Sequence, residues 1–122
     1  KHINVSQIKT YVASTAPSGA TETQTGNKTT TVNIDKYTGK ITTHDQALGA
    51  NTEVSFTLTN NVIGADDVVV VGHRSGGNVG DYLIQAHSMG SGSCEISIRN
   101  LTSGSLSQAL VINFVVIKGS DS

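Results

Sequence analysis

The sequence predicts an all-β fold, a jelly-roll-like antiparallel β-sandwich carrying an N-terminal arm or linker. Three observations predict it. Apolar and polar residues alternate in several short runs, most cleanly in Glu53–Asn60 and Cys94–Asn100, which is the period of a strand with one buried face. Turn-forming Gly, Asn and Ser clusters separate these runs at roughly 8–12-residue spacing, the rhythm of a sandwich or jelly roll. Beyond residue 28, no stretch carries a sustained helical period.

Composition sets the bounds. A chain of 122 residues is one domain with a modest core. With three Tyr, two Phe and no Trp, that core must be built from Val, Ile and Leu. A formal net charge of -1 and a pI near 6.4 lack the clustered cations of a nucleic-acid partner. No run approaches the ~20 apolar residues of a membrane-spanning helix. Cys94 is the single cysteine, so it reads as a small buried apolar residue and leaves the redox compartment open. A start at Lys1-His2 rather than Met suggests a piece of a longer protein.

Along the chain, residues 1–13 fit either a strand or a helical face through Ile8, Tyr11 and Val12, with an extended arm preferred. Residues 14–30 hold Pro17, the only proline, among Ser, Thr, Gly, Asn, Gln and Glu, and read as a linker or long surface loop. The expected organisation is therefore an arm, a linker or the end of a preceding domain over 1–28, and a sandwich over 29–122. Strands are expected at 29–35, 40–44, 53–60, 68–71, 81–87, 94–100 and 109–117. Loops are expected at 45–51, 60–67 and 102–108, with a Gly-rich loop at 72–80 and a turn at 88–93.

Two of these runs are apolar on both faces. Val68–Val71 is all valine. In Ala109–Ile117, one face carries Ala109, Val111, Asn113, Val115 and Ile117, and the other Leu110, Ile112, Phe114 and Val116. A two-layer sandwich buries inner faces only, so the outer faces of these strands need a cover. A second subunit is the expected cover, with Leu110, Ile112, Asn113, Phe114 and Val116 as the expected seam; the N-terminal arm is the alternative. Asn113 is the lone polar residue on its face, and burial against a symmetry copy would give it a hydrogen-bonding partner.

The stretch from Gly39 to Gly119 resembles the small C-terminal domains of bacteriophage tail fibres, tailspikes and head fibres or decoration proteins. The residues that carry the resemblance begin with Gly39-Lys40-Ile41-Thr42, Val54–Asn60 and Asp67–Val71. They continue with Ser75-Gly76-Gly77, Gly92-Ser93-Cys94 and Ile98-Arg99-Asn100. The most specific part is the ending, Gly104-Ser105-Leu106-Ser107 leading into Ala109–Lys118. The resemblance implies a homotrimeric β-sandwich on a virion appendage, outside the cell, that assists trimerisation, receptor contact or both. Any enzymatic activity of such proteins usually sits in a preceding domain. A head-decoration domain that binds capsid is the alternative it leaves open.

No residue pattern calls for catalysis or a cofactor. Ser75-Gly76-Gly77 and Gly90-Ser91-Gly92-Ser93 lack the G-x-S-x-G spacing of a nucleophile elbow. His44-Asp45, His73, His87, Asp66-Asp67 and Asp81 lack metal-ligand spacing, and read as turn and surface residues. The one candidate binding group is His73, Arg74, Asn78, Asp81 and Tyr82, which places planar polar groups beside one aromatic ring, a combination suited to a cell-surface glycan. The competing reading packs Tyr82 into the core and leaves the others solvating a strand end.

Overall fold

The computed structural model describes residues 19–119 and contains eight strands and no helix among them. They are β1 (Ala20–Thr23), β2 (Val32–Asn33), β3 (Thr38–Thr42), β4 (Glu53–Thr59), β5 (Val68–Ser75), β6 (Tyr82–Gly90), β7 (Ser93–Asn100) and β8 (Val111–Ile117). Two four-stranded sheets form: sheet A in the order β1-β3-β8-β5, and sheet B in the order β2-β4-β7-β6. The all-β sandwich is thus observed, with one departure from a purely antiparallel design. The four central pairings, β3–β8, β5–β8, β4–β7 and β6–β7, are antiparallel, whereas β1 joins β3 and β2 joins β4 in parallel.

Alternation explains which side chains enter the core. From β4 come Phe56 and Leu58; from β7, Cys94, Ile96 and Ile98; from β8, Ile112, Phe114 and Val116, joined by Leu110 just ahead of the strand. Registers place them opposite one another: Phe56 faces Ile96, Leu58 faces Cys94, and Ile41 faces Ile112. Gly39 is needed for this packing. It pairs with Phe114, and a Cβ there would stand 2.5 Å from the Phe114 ring.

Residues 20–28, expected in the linker, belong to the sandwich. β1 is an edge strand, and Gln24 and Lys28 are buried. No apolar pattern marks the segment, because what is buried here is polar. Gln24 donates to the Lys28 and Thr30 carbonyls and accepts from the His44 amide. Lys28 donates its ammonium to the carbonyls of His44, Gln46 and Gln108. The rest of the expected arm, residues 1–18, lies outside the described residues.

Other boundaries shift modestly. The valine run continues through the expected Gly-rich loop as far as Ser75, with a bulge at His73/Ser75, and β6 extends to Gly90 past a second irregularity. The 102–108 loop hangs on Asn100, wholly buried, whose amide donates to Leu48 and Gly104 carbonyls while its oxygen accepts from the Thr102 amide and hydroxyl. Buried polar groups are costly unless bonded, and no buried side-chain nitrogen or oxygen among the described residues lacks a partner.

Candidate functional site

The two outer faces of the sandwich differ in kind. That of sheet B, apart from the exposed Leu83, is polar and knitted together: Ser55 and Ser97 hydroxyls meet at 2.7 Å, His87 Nε2 lies 2.6 Å from Ser97 Oγ, and Thr57 donates to Glu95 at 2.7 Å. That of sheet A is aliphatic over one corner. Val68 pairs with Ile117 and Val70 with Val115, so four branched side chains stand as a block on adjacent strands. They are 51%, 50%, 48% and 37% exposed in that order. Completing their burial is worth about 3–6 kcal/mol per chain, taking half the full-burial value for each.

One step along β8 the block gives way to a recess of about 390 Å³, lined by Thr38, Gly39, Val70, Val71, Gly72, Asn113, Phe114 and Val115. Its shape comes from Gly72, which pairs with Asn113 and has no side chain to fill the face. A Cβ on Gly72 would approach Asn113 Oδ1 to 2.6 Å, so the glycine is what lets Asn113 lie across β5. Asn113 itself is exposed, flanked by Lys40 on the other side.

Of the five residues expected at a subunit seam, this geometry keeps one. Leu110, Ile112, Phe114 and Val116 are buried in the chain's own core, at 0%, 0%, 4% and 5% exposure. Only Asn113 stands on the outer face. The reason is the two-residue period: the sandwich takes the bulkier Leu-Ile-Phe-Val face of β8 for itself, and Val111, Asn113, Val115 and Ile117 are left outward. On β5 the same alternation sends Val69 inward and Val68 and Val70 outward.

A clasp holds the end of this corner in place. Asp67 accepts from the Gly64 and Gly119 amides at 2.7 and 2.9 Å and from the Lys118 ammonium, which also donates to the Val62 carbonyl. The Lys118 hydrogen bond, followed by that from Gly119, holds the Asp67 carboxyl at a pKa of about 2.

The residues expected to bind a glycan differ in exposure. Tyr82 is buried, its hydroxyl donates to Gln108 Oε1 at 2.6 Å, and burial raises its pKa, with Asp81 adding to the effect. His73 packs against it edge-on, ring centroids 5.9 Å apart, and spends Nε2 on the Gly76 carbonyl. Arg74 and Asn78 are exposed, and Asp81 is half-buried with its backbone tied to Asn78 and Leu101. The Tyr82 ring face is therefore committed to the core. What remains outward is a loop, Arg74 to Asp81, whose polar residues and glycines flank Val79, 91% exposed.

His44, His73 and His87 lie on separate segments, and no group of three or more His, Cys, Asp or Glu among the described residues is placed to hold a metal ion. Cys94 is buried, and burial, with Glu95 beside it, pushes its thiol up to about 11. Against known proteins, the chain matches no family model, no curated protein and no solved structure.

Proposed function

We propose that this chain is a non-enzymatic assembly and binding module of a bacteriophage appendage, a tail fibre or tailspike, that works as a homotrimer on the virion. The observation that supports it best is the contrast between the two sheet faces: a polar one spent on its own hydrogen bonds, and an aliphatic one with no cover among the described residues. Soluble monomers seldom carry a contiguous apolar patch beyond a few hundred Å². The phage identity and the trimer come from the resemblance of the Gly104–Lys118 ending, and the preceding part of the appendage is the natural neighbour of such a module. The non-enzymatic reading has a physical support as well. His87 and Ser97 form a hydrogen-bonded pair, but Ser97 is only 3% exposed and sits between His87 and Ser55, out of a substrate's reach. Receptor or glycan contact, in this reading, falls to the exposed Arg74 and Asn78.

Multi-angle light scattering across a hundredfold range of concentration tests the assembly. The expected result is a mass that rises toward three chains. A constant single-chain mass at all concentrations would overturn the proposal.

A further inference from the structure

The structure assigns to His44 the role of a proton-operated latch on the segment between β1 and β2, its ring nitrogen changing partner as the pH falls. None of the residues involved belongs to the proposed assembly or contact surfaces. Histidine is the side chain that changes charge between about pH 5 and pH 8. In the other two described histidines a proton leaves the ring's bonds intact. His73 Nε2 lies 2.6 Å from the Gly76 carbonyl, which only accepts, so that nitrogen already carries a hydrogen. His87 meets the Ser88 and Ser97 hydroxyls, which turn to suit either state. His44 differs. Its Nδ1 lies 2.9 Å from the Gln46 amide nitrogen, which only donates, so Nδ1 carries no hydrogen and the neutral ring holds its own on Nε2. Also near Nδ1 is a group of the opposite kind, the Asp45 carboxylate, with Oδ1 at 3.5 Å. The His44 side chain is 33% exposed, so water can deliver the proton.

A proton on Nδ1 turns the acceptor into a donor, and two donors 2.9 Å apart must separate. The imidazolium then turns to Asp45, and the Gln46 amide loses its tie. Gln46 matters because it holds Lys28 twice: its Oε1 accepts from the Lys28 amide at 2.9 Å, and its carbonyl from the Lys28 ammonium at 2.8 Å. His44 holds the same segment through its own backbone, its carbonyl accepting from the Lys28 ammonium and its amide donating to Gln24 Oε1. The charged groups around the ring are Lys28, from the β1–β2 segment, and Asp45, from the ring's own loop. The 106–110 segment, which brings the Gln108 carbonyl to Lys28, carries no charge. Asp45 favours the charged form of Lys28 against the desolvation that opposes it. A cation at His44 repels Lys28 and draws Asp45 to itself, so acid loosens the Lys28 cage from two directions.

The test is NMR on the 15N-labelled full-length chain at about pH 8 and pH 5. Ring 15N spectra should place the hydrogen of the neutral His44 ring on Nε2. Solvent exchange of the Gln46 amide and the Lys28 ammonium is then compared with that in His44→Asn, whose side-chain oxygen can accept from the same amide and does not titrate. The expected result is equal rates at the higher pH and, at the lower, exchange about tenfold faster in the wild type, as the loss of a hydrogen bond and local opening imply. Equal rates at both pH values overturn the latch, as does a neutral ring with its hydrogen on Nδ1. Asp45→Asn, at a side chain 72% exposed, is a second variant that leaves the packing alone. There the titration midpoint of the His44 ring should move to lower pH, because the imidazolium has lost its ionised partner. An unmoved midpoint overturns the change of partner. Far-UV circular dichroism at both pH values confirms that each chain is folded.

Discussion

Lys28 shows how much of this fold depends on single polar side chains. Its ammonium is buried at the meeting point of three backbone segments and donates to the carbonyls of His44, Gln46 and Gln108. Desolvation lowers its pKa, and Asp45 opposes that shift. Lys28→Met keeps the stem and removes the donors, leaving three carbonyls with nothing in their place. The expected cost is about 2–4 kcal/mol, read from urea denaturation; a loss below 0.5 kcal/mol, about the scatter of an ordinary surface change, would show the cage to be incidental. Asp67 gives a second handle through pH. Its folded pKa of about 2 lies below the ordinary 3.8, so the folded state binds fewer protons than the unfolded chain. The clasp therefore contributes fully above about pH 4 and is lost as pH falls from there toward 2. Thermal melts between pH 5 and pH 2 should show the wild type losing more stability than Asp67→Asn; parallel losses would remove Asp67 from the account.

At the scale of the element, the informative strand is β8. Its double apolarity is plain in the sequence, and so is its place in a sandwich, because period-2 alternation and turn residues suffice to find strands such as β4 and β7. Which face of β8 turns inward is a matter of partners. Leu110, Ile112 and Phe114 are buried because β3 and sheet B meet them there, and nothing in a single strand encodes that. Of the two parallel edge strands, β2 falls within the expected 29–35 strand, whereas β1 was illegible for a related reason: it has no apolar signature, being held by backbone pairing to β3 and by buried Gln24 and Lys28 nearby. Asn113 is the exposed polar residue of the outward face. Replacing it with Val removes the only polar side chain within the aliphatic outer face of β8. Asn113→Val should leave the melt of dilute protein within about 0.5 kcal/mol of wild type. It should also broaden the associated species seen in sedimentation velocity, since an all-aliphatic face no longer selects one register. An unchanged single species would count against a specifying role.

For the whole molecule, the proposed function requires a small sandwich to divide its surface between assembly and contact with a host. The aliphatic corner of sheet A and the Arg74–Asp81 loop both issue from β5, one from its beginning and the other from its end, so a chain that packs through Val68 and Val70 carries Arg74 and Asn78 away from the packed corner. The sequence marked His73 and Tyr82 as members of that loop's binding group because residue types alone do not reveal that one ring is spent on the core and the imidazole on Gly76. The residues left outward are few, polar apart from Val79, and on the proposed reading contact through them is weak for one chain and multiplied by assembly. Glycan-array binding of the wild type should therefore fall at least tenfold in the double variant Arg74→Ala/Asn78→Ala. The same binding should weaken in Val70→Lys, which breaks assembly and leaves the loop untouched. Retained binding in the double variant would exclude the loop as the contact. Retained binding in a monomeric Val70→Lys chain would separate recognition from assembly, and the trimer would then serve only to hold the appendage together.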